Sequence, residues 1–92
     1  MESEIRLDLV IKGRVQGVGY RYSAKIEAES LSIKGSVKNM PDGRVFVTAQ
    51  GKKEAVGDFV RWCYKGPPGA QVKKILKLHG KTEDFNEFRI LY

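Results

Sequence analysis

Gly13-Arg14-Val15-Gln16-Gly17-Val18-Gly19-Tyr20-Arg21 is the stretch whose residue types and spacing suit chemistry. Three glycines in seven residues let the backbone turn so that successive N–H groups aim at one point. A helix starting just after them adds the positive end of its dipole. Together these make a cradle for an anion. Arg21 falls where the helix begins, and its guanidinium can grip two oxygens of one phosphate, which a lysine cannot. Two common phosphate motifs are absent. There is no G-x-x-x-x-G-K-[ST], and Gly17-Val18-Gly19 is followed by Tyr22 where a dinucleotide fingerprint needs glycine. On spacing alone the segment reads equally as a tight strand-to-helix turn whose glycines serve geometry only.

Asn39 is the second candidate. Beside Pro41-Asp42-Gly43 its amide is first a local cap of the turn. A chemical role needs Asn39 to end the strand that neighbours the first strand, at the same sheet end as the glycine loop. There its oxygen can position a water and its NH₂ can touch an oxyanion. The usual nucleophiles lack support. Cys63 lies on the apolar stripe of a helix and reads as an inert core thiol. His79, the only histidine, falls in a strand far along the chain from the loop. Ser23, Ser30, Ser32 and Ser36 have no evident His or Lys partner to activate them.

The elements that must position these groups are legible. Residues 5–12 alternate, with Ile5, Leu7, Leu9 and Ile11 on one side, and predict a strand with one buried face. From about Tyr22 to Ile33, Ala24, Ala28 and Leu31 form a helical stripe. Val37, then Val45, Val47 and Ala49, form two short strands joined at Pro-Asp-Gly. Glu54 to Lys65 is helical, with Ala55, Val56, Phe59, Val60 and Cys63 inward, and Gly66-Pro67-Pro68 ends it. Val72 to His79 is a strand whose alternation slips between Val72 and Ile75, as a bulge would cause. Phe85 to Tyr92 closes with a short strand, Phe88, Ile90 and Tyr92 on one face. The order β-α-β-β-α-β plus a terminal strand predicts an α+β, ferredoxin-like sandwich: a mostly antiparallel sheet with two helices on one face.

Composition narrows the classes. At 92 residues, with no repeat or linker, the chain reads as a single domain over 1–92. One cysteine excludes an internal disulfide, and one cysteine with one histidine excludes a Cys/His zinc site. No apolar run is long enough to span a membrane. Met1-Glu2-Ser3-Glu4 has neither the basic nor the apolar region of a secretory leader, so the cytoplasm is the expected location. The net charge of +6 favours anionic partners without choosing among them. Lys52-Lys53 and Lys73-Lys74 read as solvated faces that also steer anions.

With these residues in view, the sequence closely resembles the acylphosphatases. Their first signature, G-x-V-Q-G-V-G-F-R, corresponds to Gly13 through Arg21. Their second, G-W-V-x-N-x-x-D-G-x-V, corresponds to Gly35-Ser36-Val37-Lys38-Asn39-Met40-Pro41-Asp42-Gly43-Arg44-Val45. Trp62 through Val72, with Gly66-Pro67-Pro68-Gly69-Ala70, is similar to the family's segment after the second helix. The resemblance runs over about residues 5 to 92. It implies hydrolysis of the carboxyl–phosphate anhydride of an acyl phosphate to a carboxylate and inorganic phosphate. It implies that Arg21 binds phosphate, that Asn39 orients the water, and that the backbone of Val15, Gln16, Gly17, Val18, Gly19 and Tyr20 forms the phosphate loop. No metal or cofactor is implied. Tyr20 stands where Phe is usual, Ser36 where Trp is usual, Phe46 where an acidic residue is common, and Ser32 where Gly often ends the first helix. These departures bear on packing, substrate preference and rate more than on the reaction.

Two other readings carry different expectations. A basic ferredoxin-like domain can bind RNA through sheet aromatics. Here Gly17 through Tyr22 falls at a loop and helix start, and Phe46 is the one sheet aromatic positioned to face solvent, so nucleic acid is not the expected partner. A silent domain that only binds phosphate groups is the other reading, and retention of both Arg21 and Asn39 argues against it. A monomer is the simplest expectation at this size.

Overall fold

The structure is a computed structural model and describes residues 3–92. Met1 and Glu2, the first two residues of the Met1-Glu2-Ser3-Glu4 segment, lie outside the described residues. The elements run β1 (Glu4–Arg14), α1 (Tyr20–Ser30), β2 (Lys34–Asn39), β3 (Val45–Lys52), α2 (Lys53–Lys65), β4 (Gln71–Gly80) and β5 (Phe88–Leu91). The strand order is β4-β1-β3-β2-β5, antiparallel throughout except that β5 lies parallel to β2. This is the expected α+β, ferredoxin-like architecture.

The core lies between the sheet and the two helices. Leu9 and Ile11 of β1, Val37 of β2, and Val45, Val47 and Ala49 of β3 are buried on one sheet face. Ala24 and Ala28 of α1 and Val56, Phe59 and Cys63 of α2 close over them. The two alanines let α1 approach the strands closely, while Phe59 fills the middle and meets Phe88 edge-on at 5.8 Å between ring centroids. Full burial of a Val, Leu or Phe side chain is worth about 1.5–3 kcal/mol.

One topological expectation is corrected. β2, which Asn39 ends, does not neighbour β1; β3 lies between them. The tight Pro41-Asp42-Gly43 turn pairs β2 with β3, and β1 then takes the free edge of β3. Because β1 and β2 are both antiparallel to β3, they run parallel to one another. Their C-terminal ends therefore lie at the same end of the sheet, which keeps Asn39 beside the loop that follows β1.

Helix α1 starts two residues earlier than its apolar stripe suggests. Gly19 takes a left-handed conformation (φ 77°), and the Ser23 N–H donates to its carbonyl at 3.0 Å. At the other end Ser32 carries φ 59°, the left-handed stop a glycine commonly supplies. The bulge expected in β4 is present: Lys12 pairs with Lys74 but Gly13 pairs with Val72, leaving Lys73 as the extra residue. Gly13 is required there, since a Cβ at that position would lie 2.1 Å from the Gln71 carbonyl oxygen. Residues 81–87 cross the open face of the sheet from β4 to β5. Gln50 fixes this strap by donating to the Glu83 carbonyl at 2.7 Å and accepting from the Glu83 N–H at 2.9 Å. Arg6 adds an ion pair with Glu83 and stands over the Phe85 ring.

Candidate active site

The glycine loop, the end of β2 and the end of β5 converge on one cavity of about 230 Å³, at the end of the sheet where β1 and β2 finish. It is lined by Val15, Gly17, Gly19, Tyr20, Arg21, Tyr22, Asn39, Ile90 and Tyr92. Each wall follows from local sequence. Val15, buried just beyond β1, sets the loop's root in the core. Gly17 and Gly19 both have positive φ, 75° and 77°, and no atom lies within 4 Å of where a Cβ would stand. Their backbone needs glycine for conformation, while the space beside them stays open.

The first turn of α1 begins at Gly19 without a side-chain cap and carries no acidic residue. Its leading N–H groups therefore keep their donor capacity, and the helix dipole adds positive potential. Arg21 stands in this turn. Its Nη1 donates to the Leu91 carbonyl at 3.3 Å, and its guanidinium carbon lies 4.9 Å from the centroid of the Tyr92 ring. A guanidinium has five donors, so one bond to Leu91 leaves the fork free to meet an oxyanion.

Asn39 is the last residue of β2 and half-buried. The turn beyond it is closed by Met40, whose N–H donates to the Arg44 carbonyl at 2.8 Å and whose carbonyl accepts from the Gly43 N–H at 3.1 Å. The Gln16 amide donates to the Met40 carbonyl at 2.8 Å and to the Arg44 carbonyl at 2.9 Å. A single side chain thus ties the glycine loop to the turn that carries Asn39.

The residues singled out in the sequence therefore divide. Val15, Gly17, Gly19, Tyr20, Arg21 and Asn39 meet at the cavity. Gln16 and Val18 are not among its lining residues. The Gln16 side chain is spent on the turn, and Val18 comes close to Gly69, in the loop after α2. Three cavity residues were not singled out: Tyr22, Ile90 and Tyr92. The alternation of Phe88, Ile90 and Tyr92 put the latter two on one face, but only the parallel pairing of β5 with β2 brings that face beside Asn39. The side chains set aside as nucleophiles stand elsewhere. His79 is exposed on β4, and Cys63 is buried in α2, where burial pushes its thiol up to about 12.

An uncapped glycine-led helix start, an arginine fork and an amide on one small cavity are groups with the chemistry to hold an oxyanion and a water. The sequence profile of the acylphosphatase family matches residues 7–90. An acylphosphatase from Acaryochloris marina is 44% identical over 99% of this chain and 98% of its own length. One from Archaeoglobus fulgidus is 39% identical over 96% and 99%. The crystal structure of the Bacillus subtilis acylphosphatase superposes with a TM-score of 0.93 at 36% identity, covering 96% of this chain and 99% of that one. The chain belongs to the acylphosphatase family. It is an enzyme that hydrolyses acyl phosphates to a carboxylate and inorganic phosphate. No helix among the described residues is long and apolar enough to cross a membrane.

Proposed function

We propose that the phosphoryl group of the acyl phosphate is held by the backbone N–H groups of residues 15–20 and by the Arg21 guanidinium, and that Asn39 orients the attacking water. The observation that carries this reading is the meeting of Gly17, Gly19, Arg21 and Asn39 on one cavity. The water oxygen attacks phosphorus in line with the acyl oxygen, and the P–O bond to that oxygen breaks. The carboxylate leaves with the bonding pair, and the water's proton passes to a phosphoryl oxygen. A carboxylate is already a good leaving group, so the site has no need of a covalent nucleophile. Catalysis is then positioning and charge stabilisation.

This scheme assigns no step to a metal. It takes residues 1–92 as one catalytic domain that works as a monomer in the cytoplasm on a small acyl phosphate. It gives no part to nucleic acid or to a membrane. The test is hydrolysis of benzoyl phosphate in the presence of EDTA, beside the Arg21→Ala variant. Hydrolysis that persists in EDTA and disappears in the variant supports the scheme. Loss of activity in EDTA, or full activity in the variant, refutes it.

A further inference from the structure

Tyr20 faces two ways. It follows Gly19 directly at the cavity, while its side chain belongs to the core and the residue is 2% exposed. There the hydroxyl donates to the Cys63 carbonyl at 2.7 Å. That carbonyl lies in the last turn of α2, where the regular acceptor role would require an N–H four residues on. The fourth residue on is Pro67, which has none. The Trp62 carbonyl, one residue earlier, is satisfied by the Gly66 N–H at 2.7 Å. The Tyr20 hydroxyl thus satisfies a buried carbonyl that the proline leaves open.

The ring is fixed along its length as well. It packs against Trp62 at 5.5 Å between centroids. A Cβ on Gly66 would lie 3.0 Å from the Tyr20 ring, so the chain passes close against it there. Within the glycine loop Val15 is buried and Val18 packs against the core, while the two glycines carry no side chain to hold them. Nothing stands within 4 Å of the Cβ positions of Gly17 or Gly19. Gln16 holds the loop's first end to the β2–β3 turn, and Tyr20 is the corresponding hold at its second end.

We propose that the Tyr20 hydroxyl is a positioning group for the phosphate cradle, fixing the start of α1 to the end of α2 so that the loop's N–H groups stay aimed at the phosphoryl site. The proposal rests on the reading of residues 15–20 as that cradle. It acts through the backbone, and the hydroxyl itself does not touch substrate. A phenylalanine would keep the ring and its packing but would leave the Cys63 carbonyl unpaired and the cradle's second end held by packing alone.

The experiment compares wild type, Tyr20→Phe and a core control, Ile33→Val, chosen because Ile33 is buried beside Gly51 at the opposite end of the sheet. Inhibition by inorganic phosphate and kcat and KM for benzoyl phosphate are measured at a temperature where circular dichroism shows all three folded. Tyr20→Phe should raise the phosphate inhibition constant and lower kcat/KM by roughly two- to tenfold, the span that one buried hydrogen bond corresponds to. Ile33→Val should lower Tm and leave both constants alone. If Tyr20→Phe lowers Tm but keeps wild-type kinetics, or matches wild type in every respect, the proposal is overturned while the cradle reading stands. A folded wild type that neither hydrolyses benzoyl phosphate nor responds to phosphate overturns the cradle reading, and this proposal with it.

Discussion

Gln16 and Met40 are 24 residues apart in sequence, yet the Gln16 amide donates to the Met40 carbonyl at 2.8 Å and so ties the glycine loop to the turn that follows Asn39. The same nitrogen reaches the Arg44 carbonyl at 2.9 Å, which makes the tie a two-point clamp on the β2–β3 turn. Gln16→Glu keeps the length of the side chain but replaces the donor with a charged acceptor facing two carbonyls. Such a variant should lose about ten- to a hundredfold in kcat/KM, because displacing a positioned group by an ångström is enough for losses of that order. Steady-state kinetics with benzoyl phosphate, beside circular dichroism to confirm folding, checks this. Wild-type kinetics in Gln16→Glu would show that the loop and the turn hold their places without the clamp.

Arg21 and Asn39 should fail in different ways. In the proposed scheme Arg21 meets the phosphoryl oxygens in substrate, transition state and product, so Arg21→Ala should raise both KM and the phosphate inhibition constant. In the same scheme Asn39 acts on the water, so Asn39→Ala should lower kcat with little change in phosphate inhibition. Each should cost at least ~10²-fold in kcat/KM, the scale of one oxyanion donor. Equal loss of phosphate affinity in both would move Asn39 from the water to the phosphoryl group. Unfolding of Asn39→Ala alone would make its amide a turn cap.

Much of this arrangement is written in the chain, and the omissions have physical causes. Alternation and helical stripes are local, so every strand and helix could be placed and the Pro-Asp-Gly turn recognised. The bulge at Lys73 was visible because a one-residue slip moves side chains to the other face. Strand adjacency is not local. The Pro-Asp-Gly turn pairs β2 with β3, but nothing in residues 5–12 or 34–39 says that β1 joins β3 and not β2, and nothing in residues 88–92 says that β5 adds parallel to β2. For that reason Ile90 and Tyr92 were recognised as a strand face but not as walls of the site. The start of α1 was displaced for a different reason: Tyr20 and Arg21 belong to the helix through the backbone freedom of Gly19, which an apolar stripe does not register.

The β2–β3 turn should give the protein an acid-sensitive element. Asp42 accepts from the Arg44 N–H at 3.1 Å and pairs with the Arg44 guanidinium at 2.6 Å. The bond from the Arg44 backbone, ahead of the charge of Arg44, holds the Asp42 carboxyl below the usual aspartate range. A carboxyl depressed in the folded state contributes stability above its unfolded pKa and loses it as pH falls through the folded value. Asp42→Asn should therefore lower Tm at pH 7, and the difference from wild type should shrink as pH falls below the ordinary aspartate value of about 4 and be lost once pH passes below the depressed folded-state value. Thermal melts of both proteins across that range measure it. A difference that does not depend on pH would assign the effect to turn shape instead of charge.

Charge is distributed unevenly about the site, and this should be visible in rates. Lys12 and Arg14 near the end of β1, Lys38 near the end of β2, and Lys73 and Lys74 near the start of β4 all lie at the cavity's end of the sheet. Asp42, at that same end, is neutralised by Arg44. Toward the opposite end, Glu4 at the start of β1, Glu29 near the end of α1 and Glu54 at the start of α2 stand among Arg6, Lys34, Lys52 and Lys53, so the two signs offset there. A field of this sense draws a doubly charged acyl phosphate toward the cavity, and salt screens it over about 8–10 Å near physiological ionic strength. With wild type, kcat/KM should fall several-fold between about 20 and 200 mM salt while kcat stays level. Lys12→Glu/Lys38→Glu should start from a lower kcat/KM at low salt and show a flatter salt dependence, since neither lysine lines the cavity. A salt slope in the double variant equal to that of wild type would confine the attraction to Arg21 and the loop.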